Sequence, residues 1–294
     1  MHETTATGRE ALDLTTRLLQ RVRLAHPTAG VWEAADVQWW SRKPMASDGV
    51  ARPFWLDDDG PVAGVVLTAW RESAWQVDPV VVPGAGVDVA AVWARAVELA
   101  RQHSPGTFEV PVDDADTAAV ALATDAGLVA GSRDSTGWLD AADRLPVVPP
   151  PAGFRLVDRV GRDDVPHPMV ARNGDDVARR LAGLSLYDPA LDLAVKTDDG
   201  RVAGYTLLWH DERTGVGLVE PVRVEDDFAR RGLGRAMLTA GIDRLAARGV
   251  RRVKVSYGSE AAGALYRGVG FTPTSTSTWF GPPTDEPDGD APAR

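Results

Sequence analysis

The stretch DGPVAGVVLTAW (59–70) returns as DGRVAGYTLLWH (199–210), DPVVV (78–82) as EPVRV (220–224), and ALATDAGL (121–128) as ALYRGVGF (264–271). The offsets are 140, 142 and 143 residues, so the three matches keep both order and spacing. Such a chain folds as two copies of one unit, and its 294 residues are enough for each copy to bury its own core. In RLPVVPPPAG (144–153), three consecutive prolines can continue neither a helix nor a central strand, so the join is expected there. The expected organisation is a first domain over 1–147, a second over 148–281, and a tail over 282–294. The tail's proline, glycine and acidic residues predict disorder.

The second copy alternates strand and helix patterns. Strands are predicted over 191–196, 201–209, 217–224, 252–256 and 274–280, with another starting near 157–160. Helices are predicted over 175–184, 231–248 and 261–267, the long one with Leu238, Ile242 and Leu245 on one face. This places each copy in the α/β (α+β) class with a mixed sheet.

Net charge is −10, which argues against nucleic acid and anionic membrane as main partners. The chain has no cysteine, so disulfides, thiolate nucleophiles and cysteine-held zinc are excluded. The five histidines stand singly, and no metal site is expected. The N-terminus lacks a signal-peptide pattern and no apolar run reaches the roughly 20 residues of a membrane span. A cytoplasmic protein, monomer or homodimer, is expected.

FARRGLGRAML (228–238) puts two bare glycines and paired arginines where the long helix starts. Glycine costs about 1 kcal/mol relative to alanine inside a helix, so an offsetting role is expected. A helix N-terminus presents unsatisfied amides and positive dipole, and glycine lets a phosphate approach them. With Arg230, Arg231 and Arg235 adjacent, a diphosphate is the natural occupant. The segment is not a Walker loop, since Gly-Lys-Ser/Thr is absent. Nor is it the dinucleotide fingerprint, because Met237 stands at the third glycine position.

VEPVRVEDDFARRGLGRAMLTAGIDRLAARG followed by ALYRGVGF resembles the GCN5-related N-acetyltransferase (GNAT) family, well over 191–280 and weakly over 149–196. The tandem pairing looks like that of two-domain acetyltransferases. The resemblance implies two GNAT-like domains, each a mixed, mostly antiparallel twisted sheet flanked by helices. It implies acetyl-CoA as co-substrate, no metal, and acetyl transfer to the primary amine of a small molecule by direct attack in a ternary complex. In the family the R/Q-x-x-G-x-G/A segment holds the pyrophosphate. Here that assigns Arg230, Arg231, Gly232, Leu233, Gly234 and Arg235 to the cofactor, with Val222, Arg223 and Val224 along the pantetheine. Ser259 falls where many relatives carry asparagine, and Ala229 takes the family's R/Q position; both are departures. Glu220 is the candidate general base and Tyr266 the candidate general acid. Pro221 cannot donate to a ladder, so a splay is expected beside it. Tyr205, Trp209, His210, Asp211 and Trp279 are candidates to face the acceptor.

The first copy reads VVVPGAGVDVAAVW where the second has its arginines and glycines, and Ala123 stands opposite Tyr266. A degenerate, non-catalytic copy is expected. It holds eight of the ten tryptophans, readable as core and interdomain packing or as an aromatic wall for the acceptor. A non-catalytic acyl-CoA binder or sensor, and a structural pair using neither pocket, are the alternative functions.

Overall fold

The computed structural model describes residues 1–71, 73–162 and 165–283. In chain order the elements are β1 (His2–Ala6), α1 (Gly8–Ala25), α2 (Ala34–Trp40), β2 (Arg52–Asp57), β3 (Gly60–Arg71), β4 (Ala74–Val81), α3 (Val89–His103), β5 (Thr107–Asp113), α4 (Thr117–Asp125) and β6 (Val129–Asp140). They continue with β7 (Phe154–Asp158), α5 (Val170–Asn173), α6 (Val177–Ala182), β8 (Asp192–Thr197), β9 (Val202–Asp211), β10 (Val216–Val224), α7 (Leu233–Ala247), β11 (Arg252–Tyr257), α8 (Glu260–Gly268) and β12 (Thr272–Gly281). The expected strands over 191–196, 201–209, 217–224, 252–256 and 274–280 and the long helix of the second copy are present, while the strand expected to start near 157–160 instead runs from Phe154 to Asp158. The helix expected over 175–184 is shorter, beginning at Val177 and ending at Ala182, after the single turn of α5.

The chain forms two compact units, and their division differs from 1–147 and 148–281. The first unit holds Met1–Trp40, Pro44–Ser135 and the described residues from Ser275 onward; the second holds Ser41–Lys43 and Thr136–Thr274. The proline-rich stretch does not mark the division, because it is fastened along α7. The Val148 amide donates to Thr239 Oγ1 (3.0 Å) and Arg144 Nε lies 2.8 Å from Asp243 Oδ1. Of the expected tail, 284–294 lie outside the described residues.

In the first unit the strands run in the order β1-β2-β3-β4-β5, with the end of β12 antiparallel to β5 from Ser277↔Asp113 to Phe280↔Val110. Only β4 and β5 pair in parallel among the strands from β1 to β5. Their inward side chains, among them Val65, Leu67, Trp75, Val77 and Phe108, close on Trp93 and Val97 of α3. Trp32, Trp40 and Trp70 form a chain of ring contacts at 4.9 and 5.3 Å, and Trp279 joins Trp32 at 6.0 Å. These tryptophans are packing groups of this unit.

In the second unit the order is β6-β11-β10-β9-β8-β7. Parallel β10–β11 sits among antiparallel neighbours β9, β8 and β7. Helix α7 lays Leu238, Ile242 and Leu245 over Leu193, Leu208, Val219 and Val253. Gly241 permits that approach, since a Cβ there would collide with the Leu208 side chain. No helix among the described residues is long and apolar enough to cross a membrane.

One buried acid in the first unit has a measurable consequence. Asp78 is 4% exposed and accepts from Trp32 Nε1 (2.7 Å) and Gln76 Nε2 (2.8 Å). Burial, with a contribution from nearby Asp36, pushes its carboxyl up to about 7, against the pull of those two hydrogen bonds. An unfolded aspartate titrates near ~3.9, so between those values the native state binds the proton and the unfolded chain does not. Stability therefore falls as pH rises from about 4 to about 7. Thermal melts of Asp78→Asn across that interval are expected to lose this downward slope; an unchanged slope contradicts the assignment.

Candidate active site

The site begins with how β10 leaves its neighbours. Its first residues pair on both sides, with β9 and, from Val216↔Arg252 to Leu218↔Lys254, with β11. Pairing with β11 ends there. The register with β9 shifts between Val219↔Leu208 and Val222↔Thr206, so Glu220 and Pro221 form a bulge, joined by a cis peptide bond. Side chains of β9 bind both bulge carbonyls: Trp209 Nε1 donates to Glu220 O (2.8 Å) and Thr206 Oγ1 to Pro221 O (2.9 Å). Past the bulge, the Glu225 amide donates to Ala203 O at 3.0 Å. Amides alternate along a strand, so that of Arg223 also faces β9, and those of Val222 and Val224 point to the side where β11 pairing has ended.

The chain then passes through a single 3₁₀ turn (Asp226–Phe228) into α7. Arg230 and Gly232 both adopt left-handed backbone, φ 58° and 78°. Among the described residues no side chain caps the first turn, so its leading amides face outward. A Cβ on Gly234 would stand 3.2 Å from Leu265, leaving this stretch of backbone bare. Arg230, Arg231 and Arg235 are exposed around this mouth. Arg231 lies over the Phe228 ring at 5.7 Å and donates to Asp227 O (3.2 Å). Leu233 is buried in the core and offers only its backbone. The arrangement is suited to an anion.

Two expected cofactor residues are engaged elsewhere. The Arg223 guanidinium meets Asp226 at 3.2 Å and Glu225 at 3.7 Å. The Ser259 hydroxyl caps α8, accepting from the Ala262 amide (3.3 Å). Of the candidates to face an acceptor, Trp209 is fully buried as the clasp of the bulge. Trp279 is 3% exposed, donates to Asp134 Oδ2 (2.8 Å), and belongs to the first unit.

Tyr266, on α8, is 8% exposed between Tyr257 (5.5 Å) and Phe271 (5.8 Å). Burial, and then the negative charge of Glu220, hold its phenol well above the usual range. Glu220 and Tyr266 therefore share one electrostatic environment. A third member comes from far away in sequence. Arg42, in the Ser41–Lys43 segment of this unit, donates from Nε to Asn173 Oδ1 (2.6 Å). Burial pulls its guanidinium down to about 10, while Glu220 and Tyr205 act in the opposite direction. Sequence reasoning missed Arg42 because about 180 residues separate it from Glu220 and nothing in the spacing links them. It also missed a support behind the bulge. His167 Nε2 meets Asp192 Oδ2 (2.8 Å), Tyr187 donates to the same oxygen (2.9 Å), and the Tyr187 ring lies 6.5 Å from Trp209.

Among the described residues, the first unit lacks these features. Its β3–β4 ladder runs unbroken through Val66↔Asp78 and Val65↔Pro79, where the second copy bulges. The start of α3 is closed by Asp88, whose carboxylate accepts from the amides of Ala90 (3.0 Å) and Ala91 (3.3 Å). Those amides are the ones an anion would need, and the carboxylate repels one.

Residues 163–271 match the acetyltransferase (GNAT) family. Mycothiol acetyltransferase of Clavibacter michiganensis subsp. michiganensis is 44% identical over 87 residues, covering 29% of this chain and 28% of that protein. The mycothiol acetyltransferase of Kineococcus radiotolerans is 31% identical over 203 residues, covering 67% of this chain and 58% of that protein. The chain thus spans less than two thirds of the length of either relative. A tandem GNAT protein from the clavulanic acid biosynthesis pathway shares the fold, with a TM-score of 0.70 at 19% identity, over 97% of this chain and 99% of its own. Residues 163–271 thus match the GCN5-related N-acetyltransferase family, in a tandem chain that resembles mycothiol synthase.

Proposed function

We propose that the second unit is an acetyl-CoA-dependent N-acetyltransferase that moves an acetyl group to a primary amine of a small molecule by direct attack in a ternary complex. The observation that carries this reading is the uncapped mouth of α7 set beside the outward amides of Val222 and Val224. A coenzyme with a diphosphate at one end and an amide-bearing arm fits such a pair of features. The bare backbone of 232–234 and the exposed Arg230, Arg231 and Arg235 would hold the diphosphate. The Val222 and Val224 amides would bond the arm, and one of them would also face the oxyanion that develops during transfer. Acetyl-CoA brings the activated acyl group; the remaining chemistry belongs to the chain.

In this reading Glu220 accepts the ammonium proton of the acceptor, directly or through water. Tyr266 retains its proton at any physiological pH because burial and Glu220 disfavour phenolate. A thiol has a pKa near ~8.5, so full transfer of a proton from this phenol to the leaving thiolate is uphill. Tyr266 therefore serves the sulfur chiefly as a hydrogen-bond donor. No cysteine exists to carry a covalent acetyl group, which favours direct attack over a ping-pong route. The first unit is read as a degenerate copy, its helix mouth closed by Asp88.

Calorimetry with acetyl-CoA, followed by thiol release over a panel of small amines, tests the reading. One bound equivalent and release with at least one amine are expected. Binding without release on any amine would favour the acyl-CoA sensor, and no binding would favour a structural pair. Gly232→Asp, which places a carboxylate at the mouth, is expected to weaken acetyl-CoA binding by tenfold or more. Tyr266→Phe is expected to lower kcat about tenfold, the worth of one hydrogen bond of ~1.4 kcal/mol, while acetyl-CoA affinity stays within about twofold. Equal kcat in the two proteins removes Tyr266 from the mechanism.

A further inference from the structure

Trp209 is fully buried on β9, and an indole has a single hydrogen-bond donor. That donor goes to the Glu220 carbonyl (2.8 Å), while Thr206, three residues earlier on the strand, holds the carbonyl of Pro221 (2.9 Å). Behind Trp209 lies a buried polar cluster. Asp192 stands opposite Leu207 in the β8–β9 ladder, so it shares a sheet face with Trp209, two residues further along. Its Oδ2 takes two hydrogen bonds, from Tyr187 (2.9 Å) and from His167 Nε2 (2.8 Å). His167 Nδ1 accepts from the Met169 amide (3.2 Å), which leaves Nε2 as the donor. The Tyr187 ring then meets the Trp209 indole edge-on, centroids 6.5 Å apart at 66°. Stability does not account for this cluster. Asp192 is 1% exposed, and its Oδ1 has no hydrogen-bond partner among the described residues. A half-satisfied buried carboxyl group is worse for stability than apolar packing of the same volume. What the cluster supplies is a fixed orientation of the Tyr187 ring, and through it of the indole.

We propose that Trp209 is a positioning residue for Glu220 in the acetyl-transfer site, and that Asp192, His167 and Tyr187 are its anchor. A bulge re-aims the side chain it carries. Holding the Glu220 carbonyl fixes rotation about the bond from its Cα to that carbonyl, and so the direction in which the side chain leaves the strand. Thr206 has the other task. By holding the Pro221 carbonyl it sets the peptide plane from which the backbone of Val222 and Val224 continues. The two clasps divide the bulge: one serves the proton transfer, the other the strand that takes the coenzyme's arm. This division rests on the acetyltransferase reading; the anchoring of Trp209 by the cluster does not.

The anchor is tested without any activity. In the full chain the Trp209 indole N–H resonance is assigned by its loss in Trp209→Phe, then followed in Tyr187→Phe and Asp192→Asn. In both variants it is expected to shift and to exchange with solvent about tenfold faster. An indole signal unchanged in both overturns the proposal. The division of labour is tested by separating kcat from coenzyme affinity. Trp209→Phe, which keeps a ring and removes the donor, is expected to lower kcat about tenfold while the acetyl-CoA Kd stays within about twofold. Thr206→Val is expected to raise that Kd about threefold or more. A merely structural role would move kcat and Kd together in Trp209→Phe, and that result, or an unchanged kcat, overturns the proposal. If Trp209→Phe fails to fold, Tyr187→Phe is expected to show the same split at about threefold in kcat. A wild-type protein that releases no thiol on any amine removes the acetyltransferase reading instead, and the indole result still decides the anchor.

Discussion

The second unit depends on the point at which β10 stops pairing with β11. Up to Leu218 the strand is hydrogen-bonded on both sides. Beyond it, the bulge at Glu220 and Pro221 moves the register by one residue, and the following amides are left without a strand partner on the β11 side. Unpaired backbone donors inside a fold are costly unless something binds them. Here the bulge carbonyls are satisfied from β9, by Trp209 and Thr206, while the amides of Val222 and Val224 point to the side where pairing with β11 has ended. The same bend carries the chain into the 3₁₀ turn and on to the mouth of α7, so one irregularity positions both the splayed end of β10 and the uncapped start of the helix.

The two copies show what that irregularity is worth. The first has a carboxylate and a proline at the corresponding place, Asp78 and Pro79, and a helix after them. Its ladder nevertheless runs through without a bulge, and Asp78 turns into a tryptophan-lined core instead of an open cleft. Asp88 then caps α3 in the ordinary way for a helix, using the amides that Gly232 leaves open in the second copy. One copy closes its helix mouth with a carboxylate and the other leaves it uncapped. The difference lies in a cap and a bulge, not in the order of strands and helices.

Much of this is legible in the sequence. The repeat fixes two copies, the 3.6-residue period of Leu238, Ile242 and Leu245 fixes the buried face of α7, and the Gly-Leu-Gly pair marks a helix start with bare amides. Pro221 signals a break in the ladder because it lacks a donor. Other features were hidden for physical reasons. The proline-rich stretch reads as a linker, but hydrogen bonding to Thr239 and an ion pair to Asp243 fasten it to α7, so the compact units part inside β6 instead. Ser259 reads as a cofactor ligand by its alignment, while locally it does what serine does before a helix and caps α8. Arg42 carries no local signal, since only folding brings its segment to Arg180 and Asn173.

Amide hydrogen exchange of the full chain, with and without acetyl-CoA, reads out which helix mouth and which strand hold the coenzyme. Slowed exchange is expected at Val222, Val224 and the first turn of α7, with the first turn of α3 unchanged. Protection at the start of α3, or at neither helix mouth, would contradict that placement of the coenzyme.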